Sequence, residues 1–215
     1  MKTPTKLFLA TLLCMASLVS FGQEQVNLAD KLQEEQLVAV NRTLNPYGDS
    51  EAVEMNAAEG DGLGILKGTA FETGTIEVEL LGENNPGKSF IGIAFNIEDE
   101  DNYEAIYFRP FNFLATEQTR KEHMVQYIHH PNDTWYSLRE ERSGEFEKEI
   151  PVPPDPDLWF RARIEVSRKS VSVFVNDLDE AVLTVDRLDF PKKKKIGLWV
   201  GNGSSGRFKN LILSK

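Results

Sequence analysis

The chain has 215 residues, of which 40% are hydrophobic and 27% are charged, and its formal net charge is −10 at pH 7. This is enough apolar material for a packed core, and the composition shows no sign of disorder. Nucleic-acid binding requires clustered cations, so an acidic chain is a poor candidate for it. The composition predicts a globular protein whose ligand is not a nucleic acid.

The first 22 residues have the pattern of a secretory signal peptide. Lys2 and Lys6 form a positive start, residues 7–19 are an apolar run, and small residues precede a cut before Gln23. The apolar run is too short to be a stable membrane span. We therefore expect a secreted or periplasmic protein without a membrane span.

Cys14, the only cysteine of the chain, lies inside this apolar run. Lipidation of Cys14 is an alternative, although Leu13 stands where a small residue is expected. If the chain is instead cut before Gln23, Cys14 is removed and the mature chain has no cysteine. This excludes disulfides, thiol nucleophiles and cysteine metal sites.

Residues 23–36 form a charged lead-in, which could be a short helix beginning near Asn27 or a loose segment. From residue 37 onwards the hydrophobic pattern has a period of two. Residues 75–81 (TIEVELL) alternate most clearly, with apolar side chains facing inward and glutamates facing out. Residues 90–96 (FIGIAFN) are apolar on both faces, which is typical of a central strand.

Many short strands follow at short intervals, and residues 136–141 are predicted to be one of them. No long helical pattern interrupts these strands. The sequence therefore predicts a single all-β domain over residues 37–215, folded as a two-sheet antiparallel β-sandwich or jelly roll.

The closing segment, KIGLWVGNGSSGRFKNLIL, resembles the last strands of the concanavalin A-like lectin/glucanase superfamily. Those domains often end with an IGL strand, a glycine-rich turn and an aromatic-x-Asn-Leu/Ile strand. The segments FIGIAFN, YEAIYFRPFNF and VQYIHHP are similar to secreted bacterial members, among them 3-keto-disaccharide hydrolase and other glycosyl hydrolase domains and laminin-G-like modules. The resemblance implies a concanavalin A-like jelly roll with a sugar-related function. The Glu-x-Asp-x-x-Glu signature of the superfamily glucanases is absent, since residues 75–81 carry only Glu77 and Glu79.

Residues 89–142 mix aromatic, cationic and amide side chains in segments that should be buried on both faces, as in a concave ligand-binding sheet. Tyr107 and Arg109 share one face of a predicted strand. A phenol ring can stack on a sugar ring, and a guanidinium can donate two hydrogen bonds to hydroxyls or to a carboxylate. The alternative is a structural arginine that holds an acidic loop. The predicted lining of a carbohydrate site is Tyr107, Arg109, Asn112, Gln126, Tyr127, His129 and Trp199.

Two of these residues have further alternatives. Trp199 precedes a glycine-rich turn that would lower the rim of a site, but it could equally be a core tryptophan. His129 could form a hydrogen-bonding wall of a sugar site, act as a general base, or be an edge-of-sheet histidine. His123 and His129 lie too far apart along one strand to share a metal ion.

Two competing functions remain open at this stage. An enzyme on the same fold, a glycoside or 3-keto-disaccharide hydrolase, would use His129 with Glu141 or Glu104 as acid and base. A laminin-G-like interaction module would use its rim loops. The acidic turn at residues 99–102 (DEDN) could hold calcium, and no other cofactor is expected.

Overall fold

The structure is a computed structural model that describes residues 22–48, 51–188 and 193–215. Cys14 and, apart from Gly22, the predicted signal peptide lie outside the described residues. The described residues form fifteen strands, three short α-helices and one 3-10 turn. In chain order these are β1 (Gln23–Val26), α1 (Leu28–Gln33), β2 (Leu37–Val40), β3 (Leu44–Tyr47), β4 (Ala52–Met55), β5 (Gly62–Leu66), β6 (Gly74–Leu81), β7 (Ile91–Ile97), β8 (Tyr103–Phe108), the 3-10 turn (Pro110–Asn112), α2 (Gln118–Lys121), β9 (Val125–His130), α3 (Trp135–Glu141), β10 (Glu147–Lys148), β11 (Phe160–Val166), β12 (Ser170–Val175), β13 (Leu183–Asp186), β14 (Lys195–Val200) and β15 (Gly206–Ser214). None of the helices in these ranges is long and apolar enough to cross a membrane.

The strands form two antiparallel sheets. The eight-stranded sheet has the order β13-β12-β11-β6-β15-β4-β3, with β1 paired to β15. The seven-stranded sheet has the order β10-β9-β8-β7-β14-β5-β2. This confirms the predicted two-sheet antiparallel β-sandwich.

The hydrophobic core lies between the two sheets. On β6 the side chains of Ile76, Val78 and Leu80 are buried, as the alternating pattern predicted. Phe108 of β8 meets Phe160 of β11 across the interface, with ring centroids 5.1 Å apart. The face of β8 that carries Phe108 is therefore the inner face, and the opposite face is free to build a site.

Strand β7 is central, as its double-sided apolar pattern predicted. It lies between β8 and β14, and all seven of its residues are buried. A strand in this position is covered on both faces, so neither face tolerates solvated charge.

The lead-in is docked against the sandwich. Strand β1 pairs with β15 in an unbroken register from Gln23 to Val26. Helix α1 follows directly, and the Asn27 side chain caps it by accepting a hydrogen bond from the Asp30 N–H at 3.1 Å. Of the two alternatives left open by the sequence, residues 23–36 thus adopt the docked one.

Residues 136–141, predicted as a strand, lie instead in helix α3. Thr134 precedes this helix, and its hydroxyl accepts a hydrogen bond from the Ser137 N–H at 3.2 Å. A capping threonine satisfies one of the free N–H groups at a helix start, and this local signal outweighs the weak alternation that follows it. The helix brings Trp135 and Arg139, four residues apart, to the same side.

Candidate functional site

The strand register places a row of side chains across the outer face of the seven-stranded sheet. Glu147 of β10 pairs with Gln126 of β9, which pairs with Tyr107 of β8. Tyr107 pairs with Gly92 of β7, which pairs with Trp199 of β14. Residues directly opposite one another in antiparallel strands project from the same face. The row therefore joins two polar side chains to two large aromatic rings.

Gly92 allows the two rings to meet. A Cβ at this position would lie 2.0 Å from the Ile106 carbonyl oxygen and 2.8 Å from the Tyr107 Cβ. In the space left free, Tyr107 and Trp199 approach to 4.8 Å between centroids, with their planes tilted by 35°. Both rings are almost fully buried. They form the floor of the site.

A cavity of about 720 Å³ lies over this floor. The loops before β5 and after β14, the 3-10 turn and helices α2 and α3 supply its walls. The lining residues are Asp61, Gly87, Phe90, Tyr107, Arg109, Phe111, Asn112, Thr119, Arg120, His123, Ile128, His130, Thr134, Trp135, Arg139, Trp199, Gly201 and Asn202. This size and mixture of apolar and polar groups suit a small ligand or part of a larger one.

One end of the cavity holds a group of four side chains that we call the arginine cluster: Arg109, His123, Arg139 and Glu147. Arg139 donates two hydrogen bonds to the Glu147 carboxylate, at 2.9 Å and 2.6 Å. Arg109 Nη1 lies 3.7 Å from Glu147 Oε2. His123 Nδ1 is 2.8 Å from the same oxygen, but this contact lacks the alignment of a hydrogen bond. Two guanidinium groups therefore share one buried carboxylate.

The surroundings shift the pKa values in this cluster. Burial lowers the pKa of His123, and this effect, with that of the positive charges of Arg139 and Arg109, outweighs the opposite effect of the Glu147 carboxylate. His123 is therefore neutral near pH 7. The hydrogen bonds to Glu147 raise the pKa of Arg139. Burial lowers the pKa of Arg109, which as an arginine stays protonated.

Arg109 also ties the cluster to the floor. Its Nη2 donates to the Tyr107 hydroxyl at 2.7 Å and contacts Gln126 Oε1. The Tyr107 hydroxyl donates to the same Gln126 oxygen at 2.8 Å. Burial raises the pKa of Tyr107 to about 12, so the hydroxyl remains a donor at neutral pH. Gln126 is fully buried, and its Nε2 has no hydrogen-bond partner among the described residues.

Asn112 and Arg120 brace the wall next to the cluster. Arg120 Nε donates to Asn112 Oδ1 at 3.1 Å, and its Nη2 donates to the Phe111 carbonyl at 2.7 Å. Asn112 Nδ2 donates in turn to the His123 carbonyl at 3.0 Å. These bonds hold the 3-10 turn against the segment before β9. The amide of Asn112 is engaged in this bracing.

The opposite end of the cavity is built around Asp61. The Tyr103 hydroxyl donates to Asp61 Oδ2 at 3.0 Å and accepts from Trp199 Nε1 at 3.1 Å. The Tyr103 ring stacks on His130, with centroids 5.0 Å apart. Burial raises the pKa of Tyr103 and lowers that of His130. At this end of the cavity the Asp61 carboxylate can therefore accept hydrogen bonds from a ligand, and the His130 imidazole beside it is neutral.

Arg42 fixes the loops that carry Asp61 and Asn202. Its Nη2 donates to the carbonyl oxygens of Gly60, at 2.6 Å, and Gly201, at 3.0 Å. The Asn202 side chain accepts from the Gly60 N–H at 2.7 Å. The chain before β5 and the chain after β14 are therefore held as one wall.

Trp135 provides the exposed aromatic surface of the cavity. It is the first residue of α3 and 47% of its surface is accessible. The Arg139 guanidinium lies over its ring, 5.1 Å from the centroid. The neighbouring Tyr136 is 59% exposed and lies outside the cavity lining. Trp135 is therefore the aromatic ring that a ligand can reach most directly.

Four of the seven predicted lining residues meet in this cavity: Tyr107, Arg109, Asn112 and Trp199. Gln126 lies on the same face beneath them, where it bonds Tyr107 and Arg109. Arg109 does not hold the acidic loop that was its alternative role.

Tyr127 and His129 correct the predicted lining, because they lie on the other face of β9. Successive side chains of a strand point to opposite faces, so Gln126 and Tyr127 cannot both face the cavity. The Tyr127 hydroxyl donates to Glu104 Oε2 at 2.6 Å in the interior of the sandwich. His129 Nδ1 lies 2.8 Å from Asp133 Oδ2, beside a separate small pocket of about 240 Å³.

The residues proposed for acid and base catalysis do not converge either. Glu104 is completely buried between the sheets, where it forms an ion pair with Arg187. Glu141 is exposed at the end of α3. His129 pairs across the strands with Glu104, but neither lines the large cavity.

The described residues contain no group of three or more His, Cys, Asp or Glu side chains placed to hold a metal ion. In the acidic turn at residues 99–102, Asp99 Oδ1 accepts hydrogen bonds from Asp101 N at 3.0 Å and from Asn102 N at 2.9 Å. The Asn102 side chain also donates to Asp99 Oδ1, at 2.7 Å, and this bond, together with the two backbone bonds, lowers the pKa of Asp99 because all three favour its charged form. The Asp99 carboxylate therefore stabilises the turn in which it lies.

The predicted lining did not include Asp61, Trp135 or Arg139. Asp61 precedes β5, far in sequence from the segment that carries most of the site, and it reaches the cavity only through the pairing of β5 with β14. Arg139 was hidden by the prediction of a strand at residues 136–141, and Trp135 lies directly before that range, where α3 begins. A threonine followed by residues that favour helix was the signal that could have found them.

Comparison with known proteins supports the fold. No protein-family model matches the sequence. The carbohydrate-binding module CBM66 from Bacillus subtilis aligns with a TM-score of 0.60 at 15% identity, covering 83% of this chain and 96% of that chain. The beta-glucanase of Bacillus licheniformis aligns with a TM-score of 0.52 at 12% identity, covering 93% of this chain and 94% of that chain. The exoplasmic/lumenal domain of VIP36, in its Ca2+/Man3GlcNAc-bound form, aligns with a TM-score of 0.54 at 13% identity, covering 85% and 84%. The chain has the concanavalin A-like lectin and glucanase fold.

Proposed function

We propose that the protein binds a glycan in the cavity over the seven-stranded sheet. The observation that carries this proposal is the composition of the lining. An aromatic floor and the exposed ring of Trp135 meet guanidinium, amide and hydroxyl groups in one cavity. Sugars present apolar ring faces edged by hydroxyl groups, and a lining of this kind complements both.

The same lining favours binding over glycoside hydrolysis. Canonical glycosidases place two carboxyl groups on either side of the bond that they cleave. Among the described residues that line the cavity, Asp61 is the single carboxylate. Glu147 is close by but is held by two arginines behind the wall. A carbohydrate-binding module and a glucanase both share this fold, so the side chains of the cavity must decide between the two functions.

We also infer that the protein acts outside the cytoplasm, since its first 22 residues have the pattern of a signal peptide. Glycans of envelopes and extracellular matrices would be within reach there. The cavity over the seven-stranded sheet supports glycan recognition over a laminin-G-like use of the rim loops.

The test is a glycan panel applied to the purified protein, with thermal shift and released sugar read together. Stabilisation without product is expected. Trp135→Ala should weaken binding about tenfold, the scale for loss of an aromatic anchor. Tyr136→Ala is the matched control, because it removes the adjacent exposed ring outside the cavity. Product release by the wild-type protein, or equal effects of the two substitutions, would overturn the proposal.

A further inference from the structure

We propose that the ligand is an anionic glycan, with a carboxylate or sulfate on its sugar units, and that this group binds at the arginine cluster. The inference rests on the proposed function and names its ligand class. It follows from the charge balance of the cluster, from its unused donors and from the separation of charge along the cavity.

The charge balance comes first. Arg109 and Arg139 carry two positive charges, and Glu147 supplies one negative charge. His123 is neutral, because burial lowers its pKa. The cluster is thus left with one excess positive charge, although Arg109 and Glu147 are almost fully buried. The excess charge is accessible from the cavity, since the Arg139 side chain is 29% exposed and lines it, and an anion bound there would complete the charge balance.

The unused donors lie in the same place. Arg139 commits Nε and Nη2 to Glu147, and its Nη1 makes no hydrogen bond within the described part of the chain. The Gln126 Nε2 also lacks a partner there, but it is fully buried beneath the cavity lining. A guanidinium only donates, so Arg139 Nη1 at this end of the cavity needs an acceptor oxygen. Carboxylate and sulfate groups supply several acceptors at one point, whereas each sugar hydroxyl brings its own proton.

The charge is also separated along the cavity. Arg109, Arg120 and Arg139 line one end, and Asp61 lies at the other beside Tyr103 and Trp199. The whole protein is acidic, with a net charge of −10. A cationic cavity end is therefore a local feature and does not follow from the composition. A chain of sugars could place an acidic group at the arginines and neutral hydroxyl groups at Asp61.

The experiment measures affinities for matched pairs of oligosaccharides by titration calorimetry. Each uronate-containing oligosaccharide is compared with its carboxyl-reduced form, which keeps the ring and the linkage. Each sulfated galactan oligosaccharide is compared with its desulfated form, so that the two sources of negative charge are distinguished. At least one acidic series should bind about tenfold more tightly than its neutral counterpart, the scale of one charge-assisted hydrogen bond.

Arg139→Gln should remove this preference, while Arg139→Lys should keep part of it. Arg142→Gln is the matched control, since it makes the same charge change just beyond α3 at an exposed arginine that pairs with Glu145. Neutral members that bind as tightly as acidic ones would overturn the inference and leave the proposed function standing. An equal loss in Arg139→Gln and Arg142→Gln would also overturn it, because the effect would then be general electrostatics. Binding of no glycan in either series would overturn both proposals.

Discussion

Substitution of Glu104 by Gln should destabilise the protein strongly without creating any defect specific to the cavity. The Glu104 carboxylate accepts hydrogen bonds from Tyr127 at 2.6 Å, from Asn96 at 2.8 Å and from Arg187 Nε at 2.9 Å. The side chains of Glu104 and Arg187 are 0% and 1% exposed. A neutral glutamine would leave the guanidinium of Arg187 buried without a counter-charge. Breaking a buried ion pair in this way costs about 3–5 kcal/mol.

Thermal unfolding followed by circular dichroism measures this effect. For a chain of this size each kcal/mol corresponds to roughly 2–4 °C in Tm, so Glu104→Gln should lower Tm by about 6–20 °C. Glu141→Gln makes the same chemical change on the exposed end of α3 and should alter stability by no more than about 0.5 kcal/mol. If Glu104→Gln lowers Tm by less than about 2 °C, the reasoning is refuted. A catalytic role for Glu104 would instead give normal stability and lost product release.

Two further predictions concern the floor of the cavity and the pH dependence of stability. Gly92→Ala should destabilise the fold by about 1–3 kcal/mol or more, because the new Cβ would lie 2.0 Å from the backbone carbonyl oxygen of Ile106. Urea denaturation measures the loss, and an unchanged midpoint would contradict the close approach of the strands. For His123 and His130, burial lowers the pKa in the folded state, so the unfolded chain binds protons more readily. Their contribution to stability is therefore complete above about pH 6.5 and falls as the pH drops towards the lowered values. Tm scans from pH 7.5 to 5.5 should show this decrease, and a His123→Gln/His130→Gln variant that retains the full decrease would count against it.

The fold could be predicted from local patterns because each strand needs only its own alternation. The pattern of residues 75–81 predicts a strand with one buried face, and that of residues 90–96 predicts a strand with two. The structure confirms both predictions in β6 and β7. Helix α3 is where this reasoning failed, because its six predicted strand residues alternate only weakly. The capping bond from Ser137 N to Thr134 decides the outcome there.

The site was predictable only in part, because a period of two fixes which residues share a face but not what faces them. Tyr107 and Arg109 were placed on one face of a predicted strand. In the structure β8 ends at Phe108, which faces inward, so Tyr107 faces outward, and Arg109 follows directly after the strand. Asp61 enters the site through a loop that Arg42 holds against Gly201. No local pattern around residue 61 contains that information.

Two ionic groups lie on opposite faces of the seven-stranded sheet, and they differ in charge balance. On the inner face Glu104 and Arg187 form a pair of one negative and one positive charge. On the outer face Arg109 and Arg139 share Glu147, which leaves one positive charge in excess. A balanced pair is complete within the protein and serves the packing of the sandwich. The unbalanced cluster borders a cavity large enough for a ligand, and its excess charge is the reason why we propose a binding role for this side of the sheet and a structural role for the other.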